Sequence, residues 1–176
     1  SDGVGCVPEG HTRYSVFSLW DTYRNLHQLM TLVYPERQLD MVRSMIDIYK
    51  EWGWMPKWEL YGRETFTMEG DPAIPVITDT WLKGLRGFDI GTAYEAFVKS
   101  ATSKGTDNLM RPDIDPYLEK GYVPLGMYSA DLSGDNSVSH ALEYYIADYA
   151  LSLLASDLGH TKDAERFLAQ SLRYKN

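Results

Sequence analysis

Pro35-Glu-Arg-Gln-Leu-Asp-Met-Val-Arg-Ser-Met-Ile-Asp-Ile-Tyr-Lys-Glu-Trp52 decides the fold class. Leu39, Val42, Ile46 and Tyr49 fall on one row at helical spacing. Met41, Met45, Ile48 and Trp52 fall on the row beside it. Two adjacent rows at three-to-four spacing give a helix that buries a wide face. Proline opens it, where the missing N–H has no partner to lose, and Gly53 stops it.

Working outward, the same period recurs on both sides. Upstream, a helix is predicted from Leu19 or Asp21 to Val33, with Asp21 or Thr22 as N-cap and Leu26, Leu29, Met30 and Val33 as its stripe. Downstream, the pattern gives helices over Ala73–Leu85, with Pro75 in the first turn, and over Ile90–Ala101, with Ala93, Phe97 and Val98 or Ala101 inward. A fifth helix runs from Ser137 or Ser139 to Leu158, with Leu142, Ile146, Tyr149, Ala150 and Leu153 on its apolar side. A sixth starts at Thr161 and runs to Asn176, with Ala164, Phe167, Leu168 and Leu172 as its stripe. The expected fold is all-α: three helical hairpins, with short links near 34–35, 86–89 and 159–160. Long irregular segments at 53–72 and 102–136 separate them. Long loops after each hairpin, gathered on one rim, fit a helical toroid around a central site. No 34-residue repeat is present.

The 176 residues carry 17 basic and 25 acidic side chains, a net charge of −8. That balance argues against nucleic acid as a partner, since phosphate binding needs clustered Lys and Arg. No apolar run of about 18 residues exists to span a membrane. One cysteine, Cys6, can form no intrachain disulfide and no paired-cysteine zinc site. Aromatics reach 13%, with 13 Tyr and 5 Trp. Their flat apolar faces and polar edges suit sugar rings and helix packing alike.

Three stretches carry candidate chemistry. In Ser18-Leu-Trp-Asp-Thr-Tyr-Arg24, a carboxylate enters a helix beside a Trp, with Arg24 one turn on. Asp21 reads either as a simple cap or as an acceptor for a pair of sugar hydroxyls, with Trp20 the platform under the ring. The loop Trp58–Pro72 holds Glu59, Arg63, Glu64, Glu69 and Asp71, which either bind hydroxyls or form incidental surface pairs. Ser139-His-Ala-Leu-Glu143, followed by Asp148, puts His140 and Glu143 on one face. Two ligands fall short of a metal site, and a buried Glu143 bonding loop backbone, holding the rim in place, fits better. No phosphate-binding glycine loop and no nucleophile elbow occurs.

Taken together, Tyr14-Ser-Val-Phe-Ser-Leu-Trp-Asp-Thr-Tyr-Arg, Gly53-Trp-Met-Pro-Lys-Trp, Met68-Glu-Gly-Asp, Asp79-Thr-Trp-Leu-Lys-Gly, Gly121-Tyr-Val-Pro and Val138-Ser-His-Ala-Leu-Glu-Tyr with Asp148 resemble glycoside hydrolase family 92, the calcium-dependent exo-acting α-mannosidases. The resemblance implies a catalytic (α/α)6 toroid preceded by a β-sandwich domain, and removal of terminal mannose from N-glycans or mannans with inversion. Inversion needs a general acid and a general base roughly 6.5–9.5 Å apart. The family's acid and base motifs are absent, so both are expected beyond Asn176, with the β-sandwich before Ser1. Residues 1–176 would then be a partial toroid, inactive alone. The resemblance carries Trp20 and Asp21 over as mannose contacts, with Arg63 and Glu69 from the loop facing the same pocket. It assigns no catalytic residue and no calcium ligand to this chain. It also implies a periplasmic, cell-surface or secreted bacterial protein. A half toroid would expose an apolar seam, to be covered by the remainder of the polypeptide or by self-association. The alternatives are a non-catalytic helical carbohydrate-binding or scaffold module, or another toroid hydrolase or lyase.

Overall fold

The computed structural model describes residues 6–7, 9–126 and 136–175. Its helices are α1 (Leu19–Thr22), α2 (Leu26–Val33), α3 (Pro35–Trp52), α4 (Ala73–Leu82), α5 (Ile90–Thr102), α6 (Ile114–Lys120), α7 (Ser137–Asp157) and α8 (Thr161–Ser171). A 3-10 turn over Leu172–Lys175 follows. The Ser1–Gly5 stretch and Asn176 lie outside the described residues, as does 127–135 in the second long loop.

Three hairpins form as expected. Tyr34 alone links α2 to α3, and Pro35 takes the first helical position of α3. Asp89 caps α5, its carboxylate accepting from the Thr92 amide at 3.0 Å and the Thr92 hydroxyl at 2.7 Å. Residues 158–160 return α7 into α8. Val42, Met45, Ile46 and Ile48 of α3 meet Ala73, Ile74, Val76 and Ile77 of α4, Ala93 and Phe97 of α5, and Leu151 and Leu154 of α7 in one core. A smaller cluster gathers Ile114, Tyr117 and Val123 under Ala141, Tyr144 and Tyr145 of α7.

The structure corrects four expectations. The first helix is broken: α1 ends at Thr22 and α2 begins after Asn25, so Asp21 and Thr22 lie inside α1 rather than capping a long helix. The break turns the Tyr23 and Arg24 side chains outward to α7, and the Gln28 side chain bonds the Tyr23 carbonyl at 2.8 Å. Second, the 53–72 loop contains an antiparallel pair, β1 (Glu59–Leu60) and β2 (Arg63–Glu64). Third, the 102–136 loop contains α6. Fourth, the sixth helix stops at Ser171 and tightens into the 3-10 turn instead of running on.

The apolar stripes also need correction. On α2 the buried residues are His27 and Thr31, while Leu26, Leu29 and Val33 are exposed. On α7, Leu142, Ile146, Tyr149 and Leu153 are exposed, while Ala141, Tyr144, Ala147, Leu151 and Leu154 are buried. Leu168 and Leu172 are exposed as well, beside a fully buried Phe167. Helix α7 is apolar on more than one side, and the described residues cover only the side that meets α4, α5 and α8. No helix among the described residues is long and apolar enough to cross a membrane.

Candidate functional site

The two long loops and the chain entering α1 converge. The Leu19 amide donates to the Lys57 carbonyl at 3.1 Å, and the Glu59 amide to the Phe17 carbonyl at 3.0 Å. Ser18 and Trp58 thus pair antiparallel immediately before Trp20. Lys57 also reaches the second loop, its Nζ donating to the Met110 carbonyl at 2.8 Å.

Two carboxylates fold this rim from within. Glu64 accepts from the amides of Lys57 (2.7 Å), Trp58 (2.9 Å) and Phe66 (2.8 Å). Glu59, buried, accepts from the amides of Val16 and Gly62. Their charge therefore satisfies backbone donors rather than hydroxyls of a ligand. The local chain is strained: Val16, Tyr61, Phe66 and Met68 all have φ between 53° and 66°. Each non-glycine residue there costs about 1–3 kcal/mol, which the carboxylate–amide bonds offset.

At the mouth, Trp20 and Asp21 lie side by side on α1. Asp21 is exposed; one carboxylate oxygen accepts from the Ser18 hydroxyl, and the other accepts from no group among the described residues. The Arg24 guanidinium lies over the Trp20 ring at 5.2 Å and the Tyr23 ring at 4.8 Å. Glu143 of α7 holds both neighbours, accepting from the Arg24 Nη2 at 2.8 Å and the Tyr23 hydroxyl at 2.7 Å. Burial and then the Glu143 carboxylate push the Tyr23 phenol far above its ordinary range. Burial opposes the Arg24 charge, but the bond to Glu143, together with the charges of Glu143 and Asp21, outweighs it and holds the Arg24 pKa above its ordinary value. Glu143 thus holds the rim, as expected, but through two side chains instead of loop backbone.

Thr22 is anchored from behind. Its hydroxyl meets Nε2 of buried His27 at 3.0 Å; Nδ1 meets Oε1 of Gln38 at 3.0 Å; Nε2 of Gln38 donates to the Thr80 hydroxyl at 2.9 Å; Thr80 donates to the Val76 carbonyl at 2.8 Å. Thr80 and Gln38 are oriented by the Val76 carbonyl, so the Gln38 Oε1 faces His27 and accepts from its Nδ1–H. Burial lowers the His27 pKa, partly offset by Gln38.

A buried ionic network joins three residues that the sequence marked, Asp71, His140 and Asp148, to Arg111 and Asp113, which it did not. Arg111, fully buried, donates from Nε to Asp71 at 3.1 Å and from Nη1 to Asp148 at 2.8 Å, and its guanidinium lies 4.9 Å from the Tyr144 ring centre. Asp148 also accepts from Tyr117 (2.7 Å) and Gln170 (3.1 Å). Asp113 takes Nδ1 of His140 at 2.7 Å and the Tyr144 hydroxyl at 2.5 Å. Burial pushes the Asp148 carboxyl up despite Arg111. Burial works the same way on Asp113, but the bonds from His140 and Tyr144 hold it below its ordinary value. This network ties the second long loop to the first through Asp71, and to α7 and α8. The signal in the sequence was a single Arg in a loop otherwise rich in Asp and Asn.

Of the four sequence-derived contacts, Trp20 and Asp21 share the mouth. Glu69 is buried beside Gly70, which packs directly on Glu143. Arg63 is exposed on β2, opposite Leu60; it is the root of that hairpin, at Trp58, that meets Ser18. His140 and Glu143 share a helix but engage different partners, so they do not act as a metal pair. Among the described residues no three His, Cys, Asp or Glu side chains converge on a point that could hold a metal ion.

The model for the glycosyl hydrolase family 92 catalytic domain matches residues 2–176. An uncharacterized secreted glycosidase of Arthroderma benhamiae is 30% identical over 146 residues, covering 80% of this chain and 19% of that protein. An inverting mannosidase of family GH92 from Bacteroides thetaiotaomicron superposes with TM-score 0.83 at 27% identity, over 94% of this chain and 22% of its own. An α-mannosidase of the same family and organism, solved with mannoimidazole, superposes with TM-score 0.83 at 39% identity, over 96% of this chain and 21% of its own. The chain spans about a fifth of the length of these relatives. Its fold is all-α, three helical hairpins forming part of an (α/α)6 toroid.

Proposed function

This chain belongs to glycosyl hydrolase family 92, and from that premise we propose that it forms the sugar-gripping part of an inverting exo-α-mannosidase acting on terminal α-linked mannose of N-glycans or mannans. One observation supports the reading above the others. Asp21 is an exposed carboxylate with an uncommitted oxygen, set beside Trp20 and its stacked Arg24. An aromatic face with an acceptor at its edge suits a neutral pyranose, its C–H face on the ring and its hydroxyls on the carboxylate. The 39% identity to an α-mannosidase solved with mannoimidazole adds to it.

In this reading Trp20 supports the ring, Asp21 accepts from hydroxyls, and Arg63 and Glu69 extend the pocket from the neighbouring loop. Glu59, Glu64, Glu143, Asp71, Asp113 and Asp148 hold protein groups, so the general acid and base are assigned to none of them. Calcium would be held by donors other than those described; when bound it supplies oxygen-seeking charge to hold the sugar. The exposed stripe of α7 would be covered by further polypeptide or a second copy, and the protein would work outside the cytoplasm of a bacterium.

The test is mannose release from α-linked mannobiose by protein expressed from the coding region carried to its natural ends, with calcium and with chelator. Chelator-sensitive release is expected, with inversion visible by proton NMR of the first-formed anomer. A folded, calcium-loaded protein that binds mannose but releases none would make it a carbohydrate-binding module instead.

A further inference from the structure

Glu143 lies where three segments of the mouth meet. It stands on α7, yet its two oxygens go to residues 119 and 120 positions earlier, Arg24 and Tyr23. Its stem is pressed against the loop that carries Glu69: a β-carbon on Gly70 would fall 2.6 Å from the Glu143 Cβ and 3.3 Å from its Cγ. The Arg24 guanidinium that it holds lies over the Trp20 ring. The Glu143 side chain is 11% exposed and that of Arg24 48%, so the pair sits at the edge of solvent, not in the core.

We propose that Glu143 is a positioning residue for the sugar. It fixes Arg24 against Trp20, and so sets the plane of the aromatic platform relative to Asp21. The proposal rests on the mannosidase reading above and extends it to a residue that does not itself touch sugar. The physical ground is the freedom that the platform otherwise has. Trp20 lies on a helix of four residues that is followed at once by a break. So short a helix has little stiffness of its own. A guanidinium stacked on the ring but tied to α7 lends it the rigidity of a 21-residue helix. The carboxylate also neutralises the guanidinium at the mouth. The site then presents Asp21 as its uncommitted charge, which suits a neutral hexose over an anionic one.

The experiment uses Glu143→Ala and Glu143→Gln in protein from the coding region carried to its natural ends. It reads kcat and KM on α-mannobiose separately, mannoimidazole affinity by calorimetry, and the thermal midpoint. Glu143→Ala is expected to raise KM and the mannoimidazole Kd at least tenfold while the midpoint moves by a few degrees. Glu143→Gln, which keeps an acceptor and the packing against Gly70, is expected to recover most of that loss. KM and Kd within twofold of wild type in both variants would overturn the proposal, whatever happens to stability. Should Glu143→Ala fail to fold, Glu143→Met, which keeps the stem against Gly70 but has no carboxylate for Arg24, takes its place, with the same tenfold rise expected and a rise within twofold overturning the proposal. If the wild-type protein neither releases mannose nor binds mannoimidazole, the mannosidase reading falls by itself. Crystal structures of wild type and of the variant without an acceptor at position 143 then judge the positioning: an Arg24 guanidinium that remains over Trp20 at its native 5.2 Å in that variant overturns it.

Discussion

Gly70 and Glu143 are in contact without a side chain between them: any β-carbon at position 70 would lie 2.6 Å from the Cβ of Glu143. Gly70 also has φ +79°, a conformation that side chains rarely take. Gly70→Ala therefore meets two penalties. The left-handed backbone costs about 1–2 kcal/mol, and overpacking against a helix adds about 1–3 kcal/mol. Urea unfolding of the alanine variant should show a loss of about 2–5 kcal/mol. A loss under about 1 kcal/mol would mean that the 68–71 loop is free to move off α7.

Arg111 is the only cation bonded to both Asp71 and Asp148 among the described residues, and all three are buried. Arg111→Met keeps the volume but leaves two carboxylates without their counter-charge. Breaking such a buried set from one side costs about 3–5 kcal/mol. The variant should lose about that much in urea unfolding, and the loop 103–113 should exchange its amides faster. Adding Asp71→Asn and Asp148→Asn to it should return part of the stability, because the orphaned charges are then gone. A triple variant less stable than Arg111→Met alone would count against this account.

The hairpins were legible in the sequence because helical period, Pro35, Gly53 and Gly159 are local signals. So was the pairing of Trp20 with Asp21, which adjacent positions dictate. On α3 the middle of both rows is buried, at Val42, Met45, Ile46 and Ile48, while Leu39, Met41 and Tyr49 are half-buried and Trp52, at the helix end, is exposed. On α2 and α7 the stripe was read on the wrong side. Period shows that a helix has an apolar face, not which of two apolar faces the neighbouring chain covers, and α7 offers Leu142 and Ile146 on one side and Leu151 and Leu154 on another. Helix α6 and the Arg111 network were missed for a related reason. Both depend on contacts between residues 22 to 40 positions apart, such as Gln170 with Asp148 and Arg111 with Asp71, and no local pattern encodes those.

His27 should make the protein acid-sensitive above the carboxylate range. Its folded pKa lies below the usual 6.5 because burial disfavours the cation. As pH falls through 6.5 the unfolded chain takes up a proton that the folded chain refuses. Its contribution is fully present above pH 6.5 and declines below it. The urea midpoint should fall between pH 6.5 and 5 in wild type, and fall less in His27→Gln. Equal slopes in the two proteins would show that another group sets the acid limb.

Lys57 should act in the opposite range. It is buried with Nζ on the Met110 carbonyl, and burial pushes its pKa down to about 8, against the pull of Asp71, Glu64 and Asp113. In the unfolded chain it keeps its proton to its ordinary value of 10.5. Between about pH 8 and 10.5 the unfolded state therefore binds more protons, and stability must rise with pH across that window. From pH 8, where the folded lysine is already half titrated, to 9.5 the gain amounts to about 1.5 kcal/mol, at 1.36 kcal/mol per fully titrated unit. Tyrosine titration ends the rise. Burial, and carboxylate neighbours after it, hold the Tyr23, Tyr94, Tyr117 and Tyr144 phenols above their ordinary value of 10.0. Above pH 10 the unfolded chain loses those protons first, and stability falls. The urea midpoint should thus climb from pH 7.5 to 9.5 and then decline. Lys57→Met removes the titrating group, so its profile should be flat over the rising part whether the variant is more or less stable at neutral pH. A wild-type profile flat from pH 7.5 to 9.5 would show that Lys57 reaches water in the folded protein, and with it that the two long loops part where Lys57 now joins them.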